Sequence, residues 1–278
     1  MKATGKKSGA LKLLFEAMMV FISIISIFPF LYSFISSFKM KNEIDDPLKF
    51  PSTLYLQNYI DSIKDGMFFQ LFKNSLLVSL LTMLVLVILG SIASYPLSRR
   101  KERVFSFIYY YVLSGIMIPF QAGIVPLFKL VKLIGWTNNI MTLVLISVGS
   151  CIPITILVYT GFIRTVPKEL DESATIDGCG YIRTFYNIIF PLLKPATATV
   201  VILNITSVWN DFMSPLTFIT KNAARTLPVG IYMFMGDRAV DYGPIFAFVI
   251  LSIILPVIAF VAFQGQFYKG IVAGAVKG

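Results

Sequence analysis

Four carboxylates, Glu169, Asp171, Glu172 and Asp177, are gathered in the run Val166–Pro195, a polar stretch of a chain that is otherwise mostly apolar. They fall on a predicted short helix and form no paired-aspartate protease pattern. The chain has no histidine, so it lacks the common near-neutral proton carrier and metal ligand, and a Ser-His protease is excluded. No GxxxxGK[ST] phosphate loop occurs, so ATP-driven work needs a partner, and neither a bound cofactor nor a metal is expected. A proton-coupled carrier normally keeps several ionisable groups within its apolar stretches; here only Asp211 lies in one. Asp211 fits two roles, a path residue or a hydrated position that pairs with Asn210 and shapes the helix end. Cys151 sits in an apolar stretch and Cys179 in the polar run, too far apart to predict a disulfide.

The elements that must position these carboxylates follow from the same run. Pro167 suits the first turn of a helix, where its missing N–H is no loss, and the acids that follow favour the positive end of the helix dipole. Gly178 and Gly180 interrupt that helix, because glycine enters left-handed backbone without steric cost. In the next helix Tyr181, Phe185, Ile188 and Ile189 form one apolar stripe, with Arg183, Thr184 and Asn187 directed elsewhere. The uncharged interval Thr184–Leu193 is half the ~20 residues a bilayer crossing takes. The run is therefore read as helix, glycine turn and helix, outside the hydrocarbon.

At 278 residues, 56% hydrophobic and 14% charged, the chain is too apolar for a soluble domain and reads as a membrane protein. Its net charge of +10 is scattered through short loops, which points to membrane topology rather than to nucleic acid. Intervals free of charge give five crossings, Ala17–Phe38, Asn74–Ser98, Val104–Phe128, Leu133–Ile163 and Tyr242–Tyr268, and Pro195–Thr220 gives a sixth interrupted only by Asp211. Basic residues at the N-terminus, at Arg99, Arg100, Lys101 and Arg103, in the polar run and at the C-terminus place both termini and that run in the cytoplasm. The first stretch exceeds the apolar core of a secretory signal and is read as an uncleaved helix.

Outside, Ser52 or Thr53 is expected to cap a short amphipathic helix with Tyr59, Ile60, Ile63 and Met67 on one side. The second external segment, Lys221–Asp241, reads as a loop broken by Pro228, Gly230 and Gly236. Prolines 29, 96, 119, 126, 153, 215 and 256 lie in or near the spans, as membrane helices tolerate.

One resemblance is specific. Glu172-Ser173-Ala174, three residues, Gly178, nine residues, Ile188, one residue and Phe190-Pro191 resemble the coupling motif of ATP-binding-cassette importer permeases, EAA, G and I-x-L-P at the same spacings. Ser173 replaces the first alanine and Phe190 the leucine. Asn74-Ser75, Tyr95, Arg99, Trp209-Asn210-Asp211, Thr226-Leu227-Pro228-Val229-Gly230 and the tail Gly274-Ala275-Val276-Lys277-Gly278 are similar to sugar importer permeases of the maltose type, and the likeness covers nearly the whole chain.

The resemblance implies an all-α integral membrane protein of six transmembrane helices, with the type I importer permease fold and a cytoplasmic coupling helix. Residues 1–12 form a basic cytoplasmic tail, 13–268 the permease domain with its coupling loop 166–195, and 269–278 a cytoplasmic tail that enters between ATPase subunits. It implies a bacterial plasma membrane location, lipid contact, a second, non-identical permease, two ATPase subunits that hold the ATP, and an extracellular solute-binding protein. Glu172, Ser173, Ala174, Asp177, Gly178, Ile188 and Pro191 are then the ATPase-coupling residues. Trp209, Asn210 and Asp211 are candidates for the solute path, and Gly230, Tyr232 and Asp237 for contact with the binding protein. The function implied is import of a sugar or oligosaccharide, without enzymatic activity. A non-sugar importer for a polyamine or phosphorylated polyol, a secondary carrier and a membrane scaffold are the alternatives.

Overall fold

The computed structural model describes residues 4–47, 49–235 and 240–275. Each apolar interval is helical, because a chain in hydrocarbon must satisfy its backbone internally. The helices are α1 (Thr4–Ser36), α2 (Gln57–Lys64), α3 (Phe68–Arg99), α4 (Arg103–Ser114), α5 (Phe120–Leu133), α6 (Ile140–Ile163), α7 (Glu169–Ile176), α8 (Tyr181–Thr184), α9 (Phe190–Leu192), α10 (Lys194–Trp209), α11 (Met213–Phe218) and α12 (Tyr242–Ala275). Leu11–Ser36, Phe68–Arg99 and Ile140–Ile163 are each long and apolar enough to cross a membrane.

Two of the expected crossings are broken. The third bends by 100° between Arg103–Met117 and Phe120–Leu133. Pro119 forces Ile118 out of helical geometry, to φ −91° and ψ 114°, and is itself extended at the start of α5. The fifth bends by 71° at Leu193, before Pro195, and its helix α10 ends at Trp209 rather than running to Thr220. The fourth begins at Ile140, capped by the Asn139 side chain, which accepts the Met141 N–H at 2.9 Å, and not at Leu133. Pro96, Pro126 and Pro153 lie inside continuous helices.

The chain divides into two compact units, one of residues 1–68 and 230–256, the other of residues 69–229 and 257–278. In the first, α2 is held by polar groups. Asn58 Nδ2 donates to the carbonyls of Ser37 and Lys39, both at 2.9 Å, and Ser62 Oγ donates to Pro244 O at 2.6 Å. The inner face of α2 is thus Asn58 and Ser62 rather than the apolar side expected, and Ile60 is exposed. Nor do Ser52 and Thr53 cap α2, whose N-cap is Leu56; the Ser52 hydroxyl and amide donate to Glu43 Oε1 instead. Buried Lys39 donates from Nζ to Asp46 O at 2.8 Å. Tyr32 meets Phe246 edge to face, and Phe248 meets both Phe68 and Phe234.

In the second unit α6 is central, with half of its 24 residues buried, from Thr142 to Ile163. A methyl added at Gly90 on α3 would come within 2.4 Å of Thr155 Cγ2 on α6, so only glycine permits this approach. Asn204 Nδ2 of α10 donates to Thr155 Oγ1 at 3.2 Å, and the Tyr159 and Thr197 hydroxyls are hydrogen-bonded at 2.9 Å. One apolar cluster gathers Leu86, Leu143, Val144 and Phe218; another joins Tyr95, Tyr159, Ile163 and Val200 with Phe185 and Ile189 of the polar run.

Candidate coupling site

The run Val166–Pro195 folds into a finger of two helices. Glu169, Asp171 and Glu172 fill the first turn of α7, where their charge favours the dipole. Pro167 precedes the N-cap, Lys168, instead of entering the first turn. The helix ends in a Schellman motif: the Cys179 N–H donates to Ala174 O at 2.8 Å, the Gly178 N–H to Thr175 O at 3.0 Å, and Gly178 has φ +75°. Gly180 is extended and needs no glycine-specific conformation.

The second helix departs from a regular stripe. After α8, Phe185–Ile189 is π-helical, with the Phe190 N–H bonded to Phe185 O five residues back. Pro191 has no N–H with which to continue the ladder. Phe185 and Ile189 are buried and Ile188 is half-buried, as the stripe requires, but Tyr181 is exposed and Thr184 is buried, its hydroxyl donating to Gly180 O.

Among the expected coupling residues, Glu172, Ser173, Asp177 and Gly178 are exposed on one end of the finger, and no atom lies within 4 Å of a methyl placed on Gly178. Ala174, by contrast, is 2% exposed and packs inside the chain, so close approach by a partner falls to Ser173. Ile188 and Pro191 lie at the finger's base and touch none of these four tip residues through a hydrogen bond or ring contact among the described residues. Ile176 is 86% exposed beside these acids, an apolar knob on a charged tip.

The finger is gripped by the last turn of α3. Arg99 Nη2 lies 2.8 Å from Asp171 Oδ2, and Arg99 Nη1 donates to Val166 O at 3.0 Å. The Tyr95 hydroxyl donates to Asp171 Oδ1, and its ring stacks on Tyr181 at 4.5 Å and tilts against Phe185 at 5.4 Å. Arg100 lies over the rings of Phe105 and Tyr181. Ile176 is the residue that sequence reasoning missed, and the pairing of Asp171 with Arg99 and Tyr95 is the contact it missed. The available signals were an aromatic and a cation four apart at the end of a span, and a lone isoleucine among acids.

The remaining candidates belong to the fifth apolar interval and to the external segment. Trp209 is buried with its ring edge-to-face on Phe72 at 5.9 Å, and Asn210 is exposed. Asp211 Oδ1 accepts the Ser214 N–H at 3.1 Å, satisfying an amide in the first turn of α11, whose N-cap is Phe212. In the external segment, Leu227–Phe234 is a 3-10 run; Gly230 is buried, Tyr232 is exposed and Asp237 lies outside the described residues. The first part of this segment, residues 223–227, is anchored to the start of α3. Asn74 Nδ2 donates to Ala223 O at 2.8 Å and Arg225 O at 2.7 Å, and the Leu227 N–H donates to Ser75 Oγ at 2.9 Å.

Residues 86–272 match the family described as binding-protein-dependent transport system inner membrane component. The chain is 33% identical over 251 residues to the melibiose/raffinose/stachyose import permease protein MelC of Bacillus subtilis, covering 90% of this chain and 91% of that protein. It is 36% identical over 259 residues to the multiple sugar-binding transport system permease protein MsmG of Streptococcus mutans, with coverage of 91% and 93%. It is 33% identical over 267 residues to the trehalose/maltose transport system permease protein MalG of Thermococcus litoralis, with coverage of 93% and 94%. The fold is similar to that in a crystal structure of a bacterial ABC transporter involved in the import of the acidic polysaccharide alginate. The TM-score is 0.82 at 19% identity, over 96% of this chain and all of that one.

Proposed function

Because the chain belongs to the family of binding-protein-dependent transport system inner membrane components, we propose that it is the permease subunit of an ATP-driven importer of a sugar or oligosaccharide. It is a membrane transport component rather than an enzyme, and its working partners are an ATPase and a solute-binding protein. Support for a sugar as cargo comes from the relatives, whose names specify melibiose, raffinose, stachyose, trehalose and maltose.

The observation that carries the coupling role is the finger. α7, stopped sharply at Gly178, presents Glu172, Ser173, Asp177 and Ile176 to a cleft in the ATPase, which holds the ATP. A short rigid helix transmits a rigid-body motion that a flexible loop would absorb. In this reading both termini and the finger face the cytoplasm, a second, non-identical permease completes the path, and lipid meets the exposed apolar side chains of α1, such as Phe21 and Ile25. The external segment with Gly230, Tyr232 and Asp237 meets the binding protein. Asn210, beside Trp209 and Asp211, offers an amide to a neutral polyol in the path.

The test is uptake into proteoliposomes that contain the full complex. Sugar entry that requires both enclosed ATP and external binding protein is the expected result. Entry under an ion gradient alone, with the ATPase omitted, identifies a secondary carrier instead.

A further inference from the structure

We infer that the last turn of α3 is a second leg of the coupling finger, with Arg99 and Tyr95 acting through Asp171 as positioning residues that carry the finger's displacement into α3. The inference rests on the proposed function and names a route for its motion. Along the chain, the finger joins α6 through the irregular link Arg164–Lys168 and joins α10 through a π-helical segment and a 71° bend. Both links are joints, and joints absorb displacement.

The contacts with α3 bypass both of them. One guanidinium, its side chain only 10% exposed, holds Asp171 in the first turn of α7 at 2.8 Å and Val166 O at the finger's entry at 3.0 Å. Tyr95, one turn earlier, donates to the second Asp171 oxygen and stacks on Tyr181 at the start of α8. Entry, first helix and second helix are therefore held by two side chains on one face of α3. An exposed pair would be screened and worth little. This one is largely withdrawn from water, so loss of either partner strands the other's charge and loosens the grip. α3 continues from this turn to Gly90, where it lies against α6 at a spacing that only glycine allows, so a shift of its end is passed to the packed bundle.

The experiment uses the reconstituted complex of both permeases, the ATPases and the binding protein, and reads ATP hydrolysis and sugar uptake together. Arg99→Asp and Asp171→Arg are each expected to lower sugar moved per ATP hydrolysed by roughly tenfold, with the ATPase still copurifying. The double variant Arg99→Asp/Asp171→Arg recovers part of the ratio, because it restores the charge contact but not the hydrogen bonds of Arg99 to Val166 O and of Tyr95 to Asp171. Tyr95→Phe, which keeps the ring stacking and loses only the hydroxyl, is expected to lower the ratio by roughly twofold to tenfold. A wild-type ratio in both single charge variants overturns the inference and leaves the proposed function standing. So does loss of the ATPase from the single variants that the double variant does not reverse. A wild-type complex that moves no sugar on ATP overturns the proposed function, and the second leg with it.

Discussion

Gly90 lies so close against Thr155 that a methyl on Gly90 would fall 2.4 Å from Thr155 Cγ2. Close approach of this kind is how membrane helices pack without a hydrophobic driving force between them. The same threonine accepts a hydrogen bond from Asn204, so α3, α6 and α10 meet around one side chain.

Gly90→Ala is therefore expected to destabilise the protein by about 1–3 kcal/mol, the usual cost of overpacking. Thermal unfolding in detergent measures it. Thr155→Ser removes the clashing methyl but keeps the hydroxyl, so Gly90→Ala in that background should recover most of the loss.

Gly178 is expected to respond to backbone conformation rather than to size. Its φ is +75° and the space around it is open. Left-handed backbone costs an ordinary residue about 1–2 kcal/mol, and asparagine tolerates it best. Gly178→Val should uncouple ATP hydrolysis from uptake while the protein remains in the membrane. Gly178→Asn should stay close to wild type, which a steric explanation would not allow.

Ile176, 86% exposed on the finger tip, is expected to bury itself in the ATPase. Ile176→Asp leaves the fold of the free subunit unchanged and weakens ATPase binding by about 2 kcal/mol or more, as for a buried anchor at an interface centre. Affinity of the purified permease pair for the ATPase is the measurement.

Asn74 anchors the external segment through two hydrogen bonds, to Ala223 O and Arg225 O. Asn74→Ala removes about 0.5–1.5 kcal/mol for each, and the segment 221–227 should exchange its amide hydrogens faster. The α7 amides, far along the chain, should not change.

Glu43 gives a pH dependence outside the spans. The Ser52 hydroxyl, with the Met40 amide, holds its carboxyl below the usual carboxylate range. A depressed folded-state value contributes stability above the unfolded value and loses it as pH falls through the folded value. Protection of the amides around Met40 and Ser52 should therefore hold at neutral pH and decline in acid, and Glu43→Gln should remove the dependence.

The helices were legible because charge is excluded from hydrocarbon, so uncharged intervals mark them directly. Their breaks were not. Pro119 ends a helix whereas Pro96, Pro126 and Pro153 do not, and hydropathy is the same either way. The finger's turn was legible through Gly178, since a left-handed cap leaves a residue signature. The π-helical segment and the burial of Thr184 were not, because both depend on what the helix packs against. The ion pair of Arg99 with Asp171 joins residues 72 positions apart in the sequence, and no local period reports it. Trp209 shows the same limit, as its edge-to-face partner Phe72 lies in another helix.

Docking of the finger on the ATPase is tested most directly by a photo-crosslinking amino acid placed at Ile176 in the assembled complex. Illumination should yield a covalent adduct with the ATPase subunit, and the same probe at Ile60 on α2 should yield none. A complex that copurifies intact with its ATPase, yet gives no adduct from Ile176 or from neighbouring Ser173, would contradict the coupling role assigned to the finger.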